Sequence, residues 1–172
     1  MIYSNQKNTK LCQKGKNLLK LFLFFPILLF SQELFTLPDE AEHLNYSLDK
    51  QIKTAKKSIY IFSSILNSYN TLKSLKSAGK RGVQINIITQ KKLTKESKTS
   101  HLSLFKNITV HSLNSDFNLK GSLICIDDKE LFLFSNNLDY KQLRQDSSFA
   151  LHTQETCEKT FTTLLQRSSK KE

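Results

Sequence analysis

The feature that most constrains the fold is a strand–helix–strand pattern in the first half of the chain. Ser58 to Ser64 (SIYIFSS) is a β-branched and aromatic run of the kind found in buried strands. Residues 69–78 follow with leucines on one helical face, and Val83 to Thr89 (VQINIIT) is strand-like again. Strands joined through a helix pair in parallel, so residues 58–89 predict a βαβ unit.

Further elements flank this unit. An extended piece at Glu33 to Leu37 precedes a helix whose apolar stripe runs to about Lys57, and Gly79 is expected to end the next helix. The remaining predicted elements are a short helix at His101–Phe105, strands at Ile108–Leu113, Leu123–Ile126, Glu130–Ser135 and Ser148–His152, and a helix at Gln154–Gln166. Asp127 and Asp128 suit a tight hairpin turn, where neighbouring carboxylates point apart rather than forming an acid/base pair. We therefore predict one α/β domain over residues 32–172, with a mixed β-sheet flanked by helices.

Residues 1–31 differ from the rest of the chain. They contain five lysines and no acidic residue, then the apolar run Leu21–Phe30 (LFLFFPILLF) and the small residue Ser31. This order is typical of a secretory signal peptide, and the run is shorter than the about 20 residues that a membrane span needs. We predict cleavage after Ser31 and an exported, periplasmic domain. The alternative is a retained anchor facing the periplasm, with membrane association through residues 17–31.

The cysteines and histidines form no recognisable metal motif. Cys12, Cys125 and Cys157 contain no CxxC pair, and the histidines form no HExxH, so we expect no metal site. The four glycines cannot form the common phosphate-binding loops, and we expect no cofactor. In an oxidising compartment Cys125 and Cys157 could pair, whereas a buried free thiol is equally compatible with the apolar run around Cys125.

Charge is the remaining compositional signal. The chain has 26 Lys and Arg against 15 Asp and Glu, a net charge of +11. Such an excess favours a polyanionic partner, either a nucleic acid or an anionic phospholipid. A candidate contact surface is formed by the following basic residues: Lys80, Arg81, Lys91, Lys92, Lys95 and Lys98. A solvated surface with no partner is the alternative.

Two segments and one spacing carry a family resemblance. The segments are Ala-Lys-Lys-Ser-Ile-Tyr-Ile at 55–61 and Leu-Lys-Ser-Ala-Gly-Lys-Arg-Gly-Val-Gln-Ile-Asn-Ile-Ile at 75–88. Farther on, Asp127, Ser135 and Asn137 have the spacing of the Asp, Ser and Asn in a His-x-Lys-x4-Asp motif followed by Ser-x-Asn. In these features the chain resembles the phospholipase D superfamily, and within it the small single-motif bacterial endonucleases.

The chain departs from the motif of that family at two positions. Counting back from Asp127, Lys120 occupies the histidine position and Ser122 occupies the lysine position, whereas Lys129 matches a lysine of the turn. Near residue 147, where the family has an acid, the chain has Ser147 beside Asp146. The vestigial motif positions are Lys120, Ser122, Asp127, Ser135 and Asn137.

The resemblance implies a metal-free, two-step phosphoryl transfer in which a histidine attacks phosphorus. It also implies a homodimer, because two motifs must face each other. Imidazole can act as nucleophile and as acid because its pKa lies near neutrality, whereas the reference pKa of a lysine is about 10.4. His101, His111 and His152 have no comparable motif around them. We therefore predict a degenerate domain that binds a phosphodiester or a partner. The alternatives are a phosphodiesterase that hydrolyses DNA or phospholipid with Lys120, and an envelope scaffold.

Overall fold

The computed structural model describes residues 32–90, 102, 104–113 and 120–169, so the predicted leader and the lysines between 91 and 98 lie outside it. The strands are β1 Gln32–Leu37, β2 Ser58–Ser63, β3 Gln84–Gln90, β4 Ile108–Leu113, β5 Ser122–Ile126, β6 Glu130–Phe134 and β7 Ser148–Thr153. The helices are α1 Ala41–Thr54, α2 Tyr69–Lys80, α3 Tyr140–Gln145 and α4 Glu158–Ser169. The predicted short helix at His101–Phe105 is only partly within the described residues.

The strands form one mixed sheet in the order β1-β7-β6-β5-β2-β3-β4. β2 pairs in parallel with β3, and β3 pairs in parallel with β4, so the predicted βαβ unit is confirmed. The other neighbours are antiparallel. Because β5 pairs with β2, the β5–β6 hairpin lies in the middle of the sheet. The predicted α/β class with a mixed sheet is confirmed.

Helices cover the two faces of the sheet unequally. Side chains alternate along β2, so Ile61 enters the large core under α1 and α2, whereas Phe62 faces α4. Phe161 of α4 packs on Phe62 and Ile88, and its full burial contributes about 1.5–3 kcal/mol. None of the described helices has both the length and the hydropathy that a membrane crossing requires.

The first helix ends earlier than its apolar stripe predicts. α1 ends at Thr54, and Ala55 is already extended, with ψ 135°. The backbone N–H groups of Lys56 and Lys57 donate to Asp127 instead of continuing the helix. A contact 70 residues away in sequence therefore sets the end of this helix.

The prediction that Gly79 ends the second helix is wrong. α2 continues through Gly79 to Lys80, and Gly82, with φ +91°, is the glycine that turns the chain towards β3. Gly79 instead allows α2 to pack against β4. A Cβ atom at this position would lie 3.0 Å from Cδ1 of Ile108, so the absence of a side chain lets α2 approach β4 closely.

A disulfide joins Cys125 of β5 to Cys157, with their Cα atoms 5.8 Å apart. Of the two states that the sequence leaves open, the structure therefore has the paired one. Asp128 Oδ1 accepts hydrogen bonds from the N–H groups of Cys157 and Glu158 at 2.7 and 2.8 Å. This cap and the disulfide explain why α4 begins at Glu158, four residues later than predicted.

Candidate functional site

The vestigial motif positions are divided between the two ends of the β5–β6 hairpin. Lys120 lies two residues before β5 and Ser122 begins it, whereas Ser135 and Asn137 lie within three residues of the end of β6. We call these four residues the open-end cluster. Asp127 lies in the turn at the other end, as predicted, and at about 3.3 Å per residue the strand separates it from Ser122 by about 17 Å. Asp127 therefore cannot share a ligand with the open-end cluster.

Asp127 binds the backbone rather than a ligand. Its carboxylate accepts hydrogen bonds from the N–H groups of Lys56, Lys57 and Ser58 at 2.8, 2.7 and 3.0 Å. Partial burial acts to raise the pKa of Asp127, but these three hydrogen bonds and the charge of Lys57 outweigh it and hold the pKa below its ordinary value. Asp128 points to a different element, the start of α4. The two neighbouring carboxylates are both structural.

Ser122 is turned into the protein. Its Oγ lies 2.7 Å from Oγ of Ser63, and both side chains are buried. Ser63 donates to the Ile65 carbonyl at 2.6 Å and accepts from the Leu138 N–H at 3.3 Å. A hydroxyl carries one proton, so Ser122 is the donor to Ser63. The position that the family motif gives to a phosphate-binding lysine is therefore occupied by a neutral hydroxyl that already has a protein partner.

Sequence reasoning missed Ser63 and Gly121. Ser63 is 59 residues from Ser122 in the chain, and only the β2–β5 pairing brings them together. A Cβ atom on Gly121 would lie 2.6 Å from the Phe134 carbonyl oxygen, so glycine is needed where β5 meets the end of β6. The sequence signal that could have identified Gly121 is its position just before a predicted strand.

Ser135 extends the ladder between β6 and β7. Its N–H donates to the Phe149 carbonyl at 3.0 Å. Its Oγ donates to the same carbonyl at 3.1 Å and accepts from the Phe149 N–H at 3.0 Å. The hydroxyl that the family motif directs to a phosphate oxygen is therefore engaged with the main chain of β7.

Asn137 lies in the loop that leads to α3, a helix that the sequence analysis did not predict. Its N–H donates to Oε1 of Gln142 at 3.2 Å, and Asp139 caps α3 by accepting from Lys141 and Gln142. The side-chain oxygens of Asn136 and Asn137 are buried, and neither has a hydrogen-bond partner within the described residues. Carbonyl oxygens only accept hydrogen bonds, so these two atoms do not suit a phosphate oxygen.

Lys120 is the exposed cation of the open-end cluster. Asp146 and Ser147, where the family has an acid, are exposed after α3. Lys80 and Arg81 precede β3, whose length of about 20 Å separates them from the sheet edge that carries Lys120. These two basic residues therefore do not join the open-end cluster in one surface.

None of the three histidines within the described residues lies beside Ser122. His43 contacts Phe35 edge to face, and His152 bonds Glu130 at 2.7 Å near the turn. His111 is on β4, two strands away from β2 and on the α4 face of the sheet. Burial lowers the pKa of His111. His101 is outside the described residues.

Comparisons with known proteins agree with the mixed α/β fold. A family profile described as "Cardiolipin synthase, PLD-like domain" matches residues 48–168. NucT from Helicobacter pylori is 25% identical over 82% of this chain and 94% of its own, with a TM-score of 0.68. Nuc from Salmonella typhimurium, a phospholipase D family member, is 19% identical over 80% of this chain and 93% of its own, with a TM-score of 0.65.

The archaeal chromatin protein TrmBL2 shares the fold with a TM-score of 0.60 and 14% identity, over 92% of this chain and 62% of its own. No curated protein sequence gives a significant match. The profile match extends over well more than half of the chain, from within α1 to the end of α4. The chain therefore belongs to the family of PLD-like domains, and its fold is that of the small Nuc-type nucleases.

Proposed function

We propose that this protein is an exported PLD-like domain that binds a phosphodiester or a partner and does not hydrolyse it. The observation that carries the proposal is the replacement of the motif histidine and lysine by Lys120 and Ser122. No imidazole of the described residues lies beside Ser122, so the two-step transfer has no nucleophile of suitable pKa among them. A lysine ammonium group still serves as a phosphate-binding point charge, so binding can persist after catalysis is lost.

The disulfide supports the exported location. Such bonds persist in oxidising compartments and are rare where thiols are kept reduced. Cys125 and Cys157 are both buried and joined, which agrees with a basic, apolar leader that directs the domain to the periplasm. Cleavage after Ser31 and retention as an anchor through residues 17–31 both leave the domain on that side of the membrane.

The positive charge supports a polyanionic partner, and we place its contact at Lys120. TrmBL2, which has the same fold, is described as binding DNA in a novel mode. Contacts between lysine and phosphate carry no sequence preference and weaken as salt displaces them. Nucleic acid and anionic phospholipid offer the same phosphodiester, so the experiment has to compare them.

A homodimer is supported by an apolar face that α4 leaves open. Leu34, Leu151 and Leu133 form one row across β1, β7 and β6, and Phe149 lies diagonally beside Leu34. Leu34 is 62% exposed and Phe149 is 54% exposed. A contiguous exposed apolar face of this kind marks an interaction surface, and a second copy would bury it through a two-fold axis.

The experiment measures binding and turnover by the full chain, with a chelator present. Fluorescently labelled DNA and vesicles containing anionic phospholipid are titrated at low and high salt. We expect salt-sensitive binding that Lys120→Ala weakens several-fold and that Lys80→Ala, a charge-matched change at the opposite sheet edge, leaves unchanged. Turnover that Lys120→Ala abolishes would establish an active phosphodiesterase instead. Absence of binding to both probes would leave only the scaffold interpretation.

A further inference from the structure

The face of the sheet that packs against α4 carries one continuous row of apolar side chains, with one residue from each of six neighbouring strands. From β1 to β3 this apolar row consists of Leu34, Leu151, Leu133, Leu123, Phe62 and Ile88. Residues paired directly across strands have their side chains on the same face, so the six lie side by side. α4 covers the end of the row at Phe62 and Ile88, which are buried, whereas Leu34 at the other end is exposed.

The hydrophobic cluster beneath α4 is small. Its buried members are Phe62, Ile88 and Phe161, and Leu123 and Leu164 are among the residues partly buried against it. The opposite face of the sheet packs on both α1 and α2 in the large core. α4 has twelve residues, and an isolated helix shorter than about 12–15 residues is marginally stable in water. The helical structure of α4 therefore depends on the contacts that hold it to the sheet.

Three of these contacts lie at the start of α4. The disulfide joins Cys157, the residue directly before α4, to Cys125 of β5. Asp128 accepts hydrogen bonds from the N–H groups of Cys157 and Glu158, and the Tyr60 hydroxyl donates to the Glu158 carboxylate at 2.6 Å. The hydrogen bonds involve side chains that water reaches in part, so their net contribution is modest. The disulfide is the covalent contact of the three.

We propose that α4 is a cover locked by the disulfide, and that reduction of Cys125–Cys157 releases it from the sheet and exposes the whole apolar row. A dithiol supplies the two electrons. One of its thiolates attacks a cysteine sulfur, and its second thiol then displaces the resulting mixed disulfide. The dithiol becomes a cyclic disulfide, and its two protons pass to the sulfur atoms of Cys125 and Cys157. The release does not depend on phosphodiester binding.

Release gives the chain two states, and the redox character of its compartment selects between them. In a reducing compartment α4 is free and the apolar row is open from Leu34 to Ile88, a surface of the kind that associates with other apolar surfaces. In an oxidising compartment the closed cover leaves open only the face around Leu34 and Phe149. For an exported domain, oxidation after export closes the cover. That consequence rests on the proposed function, whereas the release itself does not.

The test compares the oxidised full chain with the same chain reduced by dithiothreitol, and measures hydrogen–deuterium exchange by mass spectrometry. On reduction we expect the amides of residues 158–166 to exchange within about tenfold of the rate of an unfolded peptide, whereas those of α1 stay at least about 100-fold slower than that rate. The comparison separates release of α4 from unfolding of the whole domain, which would remove the protection of both helices. A dye that binds apolar surface, anilinonaphthalene sulfonate, should become several-fold brighter.

The reactivity of Cys125 gives a second measurement without any substitution. Its side chain is buried, so a reagent reaches it only when α4 moves away. In the reduced chain, iodoacetamide should modify Cys125 within about tenfold of the rate measured in urea. If α4 stayed protected from exchange after mass spectrometry had shown that the disulfide was reduced, or if Cys125 stayed unreactive, the proposal would be overturned.

Variants of the oxidised chain sharpen the test. The double substitution Cys125→Ser with Cys157→Ser should release α4 without a reductant. Cys12→Ser, which changes the third cysteine, should leave α4 protected. Tyr60→Phe removes the hydrogen bond to Glu158 but keeps the disulfide, and α4 should again stay protected. Loss of protection in oxidised Tyr60→Phe would show that the disulfide is not the lock.

Discussion

The two ends of the β5–β6 hairpin have opposite characters. At the turn end, Asp127 and Asp128 hold backbone N–H groups of two other elements, and the disulfide lies beside them. At the open end, Ser122, where the resemblance implies a lysine, is a buried hydroxyl bonded to Ser63, and two amide oxygens lack partners within the described residues. Asp127, which the sequence analysis predicted as a motif position, holds the backbone before β2. The two predicted departures from the motif, Lys120 and Ser122, are both at the open end.

The largest effect is expected from removing the disulfide. Replacing Cys125 and Cys157 by alanine frees a loop of 32 residues in the unfolded chain and should lower the free energy of unfolding by about 3 to 4 kcal/mol. Urea unfolding under oxidising conditions measures the loss. Reduction of the disulfide in the wild-type chain should produce a similar loss. A change below about 1 kcal/mol would show that the turn end is not the stabilised one.

The second-largest loss of stability is expected from removing the carboxylate of Asp127 in the turn. Asp127→Ala leaves the N–H groups of Lys56, Lys57 and Ser58 without their acceptor, and we expect a loss of about 2 kcal/mol because two of these residues are solvent-exposed. Asp146→Ala, at an exposed carboxylate after α3, should change stability by less than about 0.5 kcal/mol. If the two substitutions lowered the free energy of unfolding equally, the structural role that we assign to Asp127 would be contradicted.

Acid should weaken the turn end. The pKa of Asp127 is lowered on folding, so its contribution is fully present above its unfolded value of about 3.9 and is lost as pH falls through the lower folded pKa. Between pH 6 and pH 3 the wild-type chain should therefore lose more stability than Asp127→Asn, as measured by urea midpoints at each pH. Parallel pH profiles would contradict the assignment.

Much of this could be predicted from the sequence, because the signals are local. The periodicity of residues 58–89 fixed the βαβ unit, and the Asp pair indicated the turn. Three other features depend on contacts between segments that are distant in the sequence, and no local pattern encodes them. They are the end of α1, the Ser63–Ser122 contact and the Cys125–Cys157 disulfide. For the same reason, the motif spacing indicated the family but could not show that Ser135 is engaged with β7.

The smallest effects are expected at the open end. Ser122→Ala removes one buried hydrogen bond and should cost about 1 kcal/mol in thermal or urea unfolding. Ser63→Ala should cost more, because it also leaves the Leu138 N–H without its acceptor. Lys120→Ala should lie within about 0.5 kcal/mol of wild type, since the side chain is exposed. A larger loss from Lys120→Ala would mean that this residue holds the fold.

The most direct measurement of the central claim is the hydrolysis of a chromogenic phosphodiester by the full chain, with chelator present. We expect the wild-type rate to equal both that of Lys120→Ala and that of the reaction without protein. Wild-type turnover that falls when Lys120 is changed to alanine would contradict the account.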